Sequence, residues 1–539
     1  MNDVKNKLNF FIFVVLASEA DKEKLTMTLA SLRLQPSLTC MIHCKVLVPG
    51  PMRLFTWVSL IQPSLKITCT EYHPERLGEG LNQALSNHAP ALYDWIGVMQ
   101  PGDCWSETAF GDARLFLSDK PNCRVLYVDE VQKKPEGDDL VYYHKPAWSP
   151  DWLWSMPYTQ RGVLFRFDWL NGLQKFSLSQ EITSLELLIQ ELLLRAETKA
   201  SREMAFSVCR IPKVLFVTLA SGNELIQSLP KKILLTLAQA YDSGASIQYN
   251  AEGRLSVSWS LPEKQPTVSL LIPTRDGLSI LKPCVDAILC RTAYSNFEII
   301  IIDNQSSCPE TLAYLDAIQA SDKRVRVLKW NRRFNYSAIN NFAMLHAKGD
   351  IVGLVNNDIE PINGEWLTEM VRHVCRKEVG CVGAKLYYPN DTLQHAGVIL
   401  GLGGVAGHGH KHLKREAPGY YQRLWHVQNY SAVTAACLLV RKDVYKEVGG
   451  LNETFLKITY NDVDFCLKVL QAGYRNVWTP NAELYHHESV SRGKNNTRRK
   501  KWRAKIEFTY MRMKWSNLLK NDPAYNPNLT LEREDFSLR

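Results

Sequence analysis

From residue 267 onward the chain alternates short apolar runs with longer amphipathic stretches. Residues 267–273 (TVSLLIP) and 297–303 (FEIIIID) are continuous apolar runs bounded by turn residues, the pattern of strands covered on both faces. Residues 325–330 and 351–355 repeat it, and 278–293 and 338–346 read as the intervening helices. This alternation predicts an α/β fold with a doubly wound, mainly parallel sheet. In such sheets ligands bind beyond the carboxyl ends of the strands. Polar residues collect there: Asp276 follows the first run, Asp303 ends the second and Asp358 follows the fourth.

The first half repeats the plan more weakly. Residues 10–16 resemble a first strand, and Gly80-Leu81-Asn82-Gln83-Ala84 precedes 95–103 (WIGVMQPGD) much as Ala338-Ile339-Asn340-Asn341-Phe342 precedes 351–358. The expected organisation is two tandem domains, 1–220 and 266–493. A helical and polar linker at 221–265 would join them, and a basic helical extension would follow at 494–539. At 539 residues the chain is too long for one core, which agrees with that division.

Composition narrows the class. Apolar residues make up 45% and charged residues 22%, as in globular proteins. The longest N-terminal apolar run, 8–17, falls short of the ~18–20 residues of a membrane span and lacks a cleavage site, so it reads as a buried strand. Thirteen cysteines without a CxxC pair fit small core residues better than disulfides or zinc. These features lead us to expect a cytoplasmic protein, with peripheral contact to the inner membrane as a variant. The net charge of +9 is partly local, with Lys494, Arg498, Arg499, Lys500, Lys501, Arg503 and Lys505 close together. That cluster reads as a solvated helix face, or as attraction for anionic headgroups or diphosphates. Nucleic acid is not expected, because the aromatics do not interleave with the basic residues.

Three clusters could carry chemistry. Asn356-Asn357-Asp358-Ile359-Glu360 is an acidic turn directly after a buried strand, and hard cations such as Mg²⁺ or Mn²⁺ favour carboxylates on such a turn. Asn461-Asp462-Val463-Asp464 opens an apolar helix with two carboxylates, more than capping needs, and one could accept a proton. In Tyr485-His486-His487 the two imidazoles point to opposite strand faces. His486 is the expected ligand and His487 the alternative. His408 and His410 lie in a glycine-rich segment (401–409) that reads as a mobile loop able to close over substrate, or as a plain flexible loop.

Together these segments resemble the family 2 glycosyltransferases of GT-A fold, in particular bacterial tandem-domain, rhamnosyltransferase-like proteins of O-antigen and capsule assembly. The likeness runs through IPTRD (272–276), IIIIDNQS (299–306), FNYSAINN (334–341), LVNNDIEP (354–361), QHAGVILGLGGVAGHGHK (394–411), NDVDFCLKV (461–469) and ELYHHESVSRG (483–493). It implies nucleotide-sugar contacts at Pro273, Thr274, Asp276, Asp303, Asn340 and Asn357. It also implies metal ligation by Asp358 and His486, and a catalytic base at Asp462 in an inverting transfer. The cofactor would be Mn²⁺ or Mg²⁺. The donor would be a nucleotide sugar, dTDP-rhamnose as first guess, and the acceptor a glycan on a lipid diphosphate. Asn356 stands where the family's DxD element begins with Asp, which removes one charge from the metal site. The first domain looks degenerate: only Asp103 remains of the acidic turn, Ser184 aligns with Asp462, and Thr218 aligns with His486. Alternatives are a dual-site polysaccharide synthase and a non-catalytic carbohydrate-binding scaffold. A dinucleotide-binding oxidoreductase is excluded by the lack of GxGxxG after the first strand.

Overall fold

The computed structural model describes residues 8–35, 40–50, 67–87, 91, 94–134, 139–203, 207–219, 228–249, 253–487 and 497–539. Two compact units divide at Ser243 and Gly244. Each is built on one mixed sheet with helices against it, in the α/β class. The helix Lys231–Tyr241 belongs to the first unit, and the hairpin of Ser246–Tyr249 with Leu255–Ser258 belongs to the second.

In the second unit the strands lie in the order Val325–Lys329, Phe297–Asp303, Val268–Thr274, Ile351–Val355, Cys437–Arg441, Val379–Tyr387, Arg475–His486, Ile359–Pro361. The first four are parallel, as their βα alternation requires. The sheet then continues through an antiparallel strand, Cys437–Arg441, which pairs with Ile351–Val355. Every residue of Phe297–Asp303 is buried. Its run of isoleucines packs against helices on both faces, and each such side chain contributes roughly 1.5–3 kcal/mol by leaving water. Two cores result, one on each side of the sheet.

The first unit has the same order: Ile67–Tyr72, Cys40–Pro49, Leu8–Val15, Trp95–Met99, Val163–Arg166, Cys123–Lys133, Ser207–Leu219, Cys104–Trp105. Position by position, the parallel and antiparallel pairings match those of the second sheet. One glycine marks the duplication closely. A Cβ on Gly97 would meet Ile12 and Leu164 at 2.8 and 2.9 Å, and one on Gly353 would meet Leu270 and Leu439 at 2.7 and 2.8 Å. In both sheets the fourth strand crosses so close to its neighbours that no side chain fits there.

Residues 497–539 pack onto the second unit. Asp464 in the helix Asn461–Gln471 accepts from Lys514 Nζ and Trp515 Nε1, each at 2.8 Å. Asp522 accepts from Leu400 N at 2.7 Å, from Ala524 N at 2.8 Å and from Ser431 Oγ. Tyr525, Leu529 and Phe536 bury against Ile399 and Leu402.

Candidate active site

Asp358 ends the turn that follows the strand Ile351–Val355, and Ile359 opens the edge strand paired with Arg475–His486. That pairing brings His486 Nε2 to 3.2 Å from Asp358 Oδ1. Asn356 Nδ2 lies 3.1 Å from the same nitrogen. On the far side of the ring, His486 Nδ1 is 2.6 Å from Gln394 Oε1. Gln394 Nε2 donates to His486 O at 3.2 Å, which turns Oε1 toward the imidazole. Gln394 thus takes a ring proton on Nδ1 and turns Nε2 toward the carboxylate. His487 points the other way, to Glu360 Oε2 at 3.2 Å, and Arg291 donates to Glu360 Oε1 at 2.8 Å. Glu360 is thus held by Arg291 and His487 and does not join Asp358, as the acidic turn had suggested.

The nucleotide-side residues gather at neighbouring strand ends. Asn357 Nδ2 donates to Thr274 Oγ1 at 3.1 Å. Asp276 sits at φ +50°, one residue before Gly277, and its Oδ1 accepts from Ser307 N and Cys308 N at 2.8 Å each. The hydrogen bond from Cys308 N is the main cause that holds this carboxyl below its usual range. Asp303 Oδ1 accepts from Ser306 N at 2.9 Å. Pro273 is half-buried in the strand that ends at Thr274. Asn340 is not brought to this group. It is wholly buried inside the helix Tyr336–His346, where its amide donates to Tyr336 O at 2.9 Å. Asn304 was not singled out from sequence. Its amide donates to Trp330 O and Arg332 O, and its buried Oδ1 has no hydrogen-bond partner among the described residues.

Asp462 lies in the first turn of the helix Asn461–Gln471. Its Oδ2 accepts from Ala435 N at 3.1 Å and Thr434 Oγ1 at 3.3 Å, and its Oδ1 from Val463 N at 2.9 Å. Tyr460, just before it, takes the left-handed conformation at φ +58°, which sets the entry of the helix. Asp462, Asn356, His408, Thr434 and Tyr336 line one cavity of about 280 Å³. Asp464 is turned away from that cavity and is fully buried against Lys514 and Trp515. The surplus carboxylate of this helix start is therefore an anchor for the C-terminal helix.

The glycine-rich segment is a packed hairpin, Val398–Leu400 with Ala406–His408, rather than a free loop. Gly401 lies against Leu519 O, where a Cβ would meet that oxygen at 2.4 Å, and Gly404 lies against Phe508. His410 stacks on Phe536 with centroids 4.0 Å apart. Thr434 N donates to His395 Nε2 at 3.5 Å, which leaves the His395 proton on Nδ1 for the 2.7 Å contact with His408 Nδ1. His408 then carries its proton on Nε2. Burial pushes His395 well below its usual value and His408 down to about 3, so both rings are neutral.

The first unit differs at the same place. Asp103 is buried, and Arg161 Nη1 contacts its two carboxyl oxygens at 2.9 and 3.1 Å. Arg161 also pairs with Glu186 and donates to Gln100 Oε1 at 3.1 Å. Burial outweighs that guanidinium and pushes the Asp103 carboxyl up to about 6. The edge strand pairs Cys104 with Val217, as Ile359 pairs with His486. Val217, rather than Thr218, thus occupies the place of His486. The helix Leu185–Glu203 begins after Ser184, so Glu186 is its second residue, as Asp462 is in the second unit. By structure, the counterpart of Asp462 is Glu186 and not Ser184.

Residues 269–449 match the model of Glycosyl transferase family 2. The uncharacterized protein y4gI of Sinorhizobium fredii is 43% identical over 430 residues, 78% of this chain and 46% of that protein. The O-antigen biosynthesis protein RfbC of Myxococcus xanthus is 32% identical over 463 residues, 83% of this chain and 34% of that protein. An N-acetylglucosaminyl-diphospho-decaprenol L-rhamnosyltransferase of Mycobacterium tuberculosis is 35% identical over 63 residues, 12% of this chain and 20% of that protein. The chain spans less than half the length of each of these relatives. The first two matches are longer than the second unit, so they extend into both. The match holds Asp358 and the parallel half of the sheet and ends before Asp462, so residues 269–449 of the second unit form a family 2 glycosyltransferase domain.

Proposed function

We propose that the second unit transfers a sugar from a nucleotide diphosphate sugar to a hydroxyl of a glycan acceptor, in one inverting displacement. The observation that carries this reading is the 3.2 Å approach of Asp358 Oδ1 and His486 Nε2, next to Asn356, which lines the Asp462 cavity. A carboxylate oxygen and an imidazole nitrogen at that separation suit neighbouring positions around one cation. Among the described residues no three His, Cys, Asp or Glu side chains converge as a metal cage. Two protein ligands fit Mg²⁺ or Mn²⁺, which take their remaining ligands from substrate phosphates and water. When bound, such an ion offsets charge on the diphosphate leaving group.

The chain's own residues do the rest. Asp276, Asp303 and Asn304 offer acceptors, and Thr274 and Asn357 a polar ledge, for base and ribose. Asp462 is aimed by Ala435 N and Thr434 Oγ1 and takes the acceptor proton. The freed oxygen attacks the anomeric carbon as its bond to the diphosphate breaks, which inverts that centre. The neutral His408 presents Nε2–H to the same cavity and can bond a sugar oxygen. In the first unit, Arg161 occupies the carboxylate pair with a fixed cation, so that unit is assigned no transfer and supports or positions the acceptor.

The relatives' names favour a rhamnosyl donor, with dTDP-rhamnose the first to try, and an O-antigen-type glycan on a lipid diphosphate as the acceptor. Among the described residues no helix is long and apolar enough to cross a membrane. The proposed setting, in keeping with a lipid-linked acceptor, is the cytoplasmic membrane face, reached peripherally. The test is a panel of sugar nucleotides scored by thermal shift and by nucleotide release with Mn²⁺ or Mg²⁺. One donor is expected to stabilise and turn over, and a panel with neither effect would leave a binding scaffold.

A further inference from the structure

A cavity of about 1500 Å³ in the second unit is separate from the one that holds Asp462. Its walls are the loop after the strand Val325–Lys329, the turn before the helix Asn461–Gln471, and the helix Arg498–Lys514. Arg333 lines it from that loop, Lys457 from that turn, and Arg499 and Lys500 from that helix. None of these four has a carboxylate partner among the described residues. The two acids in the wall are already engaged: Glu507 accepts from Ile458 N at 2.9 Å, and Glu453 from Asn341 Nδ2 at 3.1 Å. Unpaired cations gathered around one concavity create a field that favours a multiply charged anion.

The same cavity has an apolar rim. Trp502 is 70% exposed, Leu345 71% and Phe455 50%, and Phe334 and Ile506 join them. Side chains of this size are seldom left in water on a folded surface without an apolar partner. Phosphate-binding cations with an adjoining aromatic and aliphatic rim together describe an amphiphile.

We propose that this cleft binds a phosphate-bearing amphiphile, its phosphates between Arg333, Lys457, Arg499 and Lys500, and its apolar chain along Trp502, Leu345 and Phe455. Naming that molecule as the carrier of the glycan acceptor rests on the transferase reading, while the binding itself does not. The cavity shares Ile458 with the one that holds Asp462, so a bound carrier would deliver its sugar end toward the base.

The probe is farnesyl diphosphate, titrated into the full chain by calorimetry in EDTA, which removes any diphosphate held by a metal at Asp358. Saturable binding is expected, at least tenfold tighter than for inorganic pyrophosphate or farnesol, and weakening as salt rises. The pair Arg499→Ala/Lys500→Ala, and separately Trp502→Ala, should each weaken it at least tenfold while melting at the wild-type temperature. The pair Arg333→Ala/Lys457→Ala, outside that helix, gives an independent second reading. Unchanged binding in these variants overturns the proposal. So does equal affinity for pyrophosphate, which would make the cleft a plain anion site. Binding only to phosphatidylcholine vesicles containing phosphatidylglycerol, and not to the soluble probe, would also overturn it in favour of bilayer headgroups. If the probe binds but the wild type turns over no sugar nucleotide, the transferase reading fails and this one stands.

Discussion

At the residue scale the site depends on groups that hold other groups. Gln394 fixes the tautomer of His486 by bonding both its ring and its carbonyl. Partners of this kind typically change metal affinity or activity by about 10–100-fold when removed. Gln394→Ala is therefore expected to raise the Mn²⁺ concentration needed for half-maximal activity by about that factor, with little change in melting temperature. A metal titration of the variant checks it. The sequence contained Asp358, His486 and Asp462 in plain view, because each stands in a short motif. Gln394 and the Asn356–His486 contact were not legible, since they arise from pairing across some 90 to 130 positions. Glu360 was misjudged for the same reason: its partner Arg291 comes from a different helix.

Buried histidines give a second test at this scale. His395, His410 and His426 are almost fully buried, and burial pushes the last two down to about 3 and the first well below its usual value. A depressed folded pKa means that the unfolded chain takes up protons the folded chain refuses. Stability from these groups is present above pH about 6.5 and is lost as pH falls. Each contributes a slope of about 1.4 kcal/mol per pH unit below that value. Denaturant melts of the chain at pH 7.5 and 5 should show a marked loss at pH 5, and a flat profile would contradict the neutral assignment.

At the scale of elements, the four parallel strands of the second sheet were readable because each is a short apolar run, and the first three each have a helix after them. The antiparallel half was not, because its strands are chosen by register and not by local pattern. That is also why Thr218 and Ser184 were aligned one or two positions away from the true counterparts, Val217 and Glu186. The helix Asn461–Gln471 has two faces with two tasks: Asp462 opens to the cavity, while Asp464 holds the C-terminal helix through Lys514 and Trp515. Removing one partner of a buried ion pair costs about 3–5 kcal/mol. Asp464→Ala should therefore lower the melting temperature strongly and expose the segment after 497 to protease, whereas Asp462→Asn should leave both unchanged.

At the scale of the whole molecule, two units of one sheet order carry different chemistry at one position. In the second unit a carboxylate faces a histidine nitrogen, and in the first Arg161 closes the matching carboxylate. Arg161→Ala is expected to destabilise the first unit by leaving Asp103 buried beside Glu186 without its cation, yet not to change the sugar transferred. Mass spectrometry of the product checks this, and appearance of a second sugar would indicate two active sites.

The most direct measurement is nucleotide diphosphate release from the preferred donor, with acceptor and Mn²⁺, for the wild type, Asp358→Ala and Asp462→Asn. The expected result is turnover by the wild type alone, with all three chains melting alike and Asp462→Asn still stabilised by donor. Turnover retained in either variant would contradict the assignment of transfer to this one site.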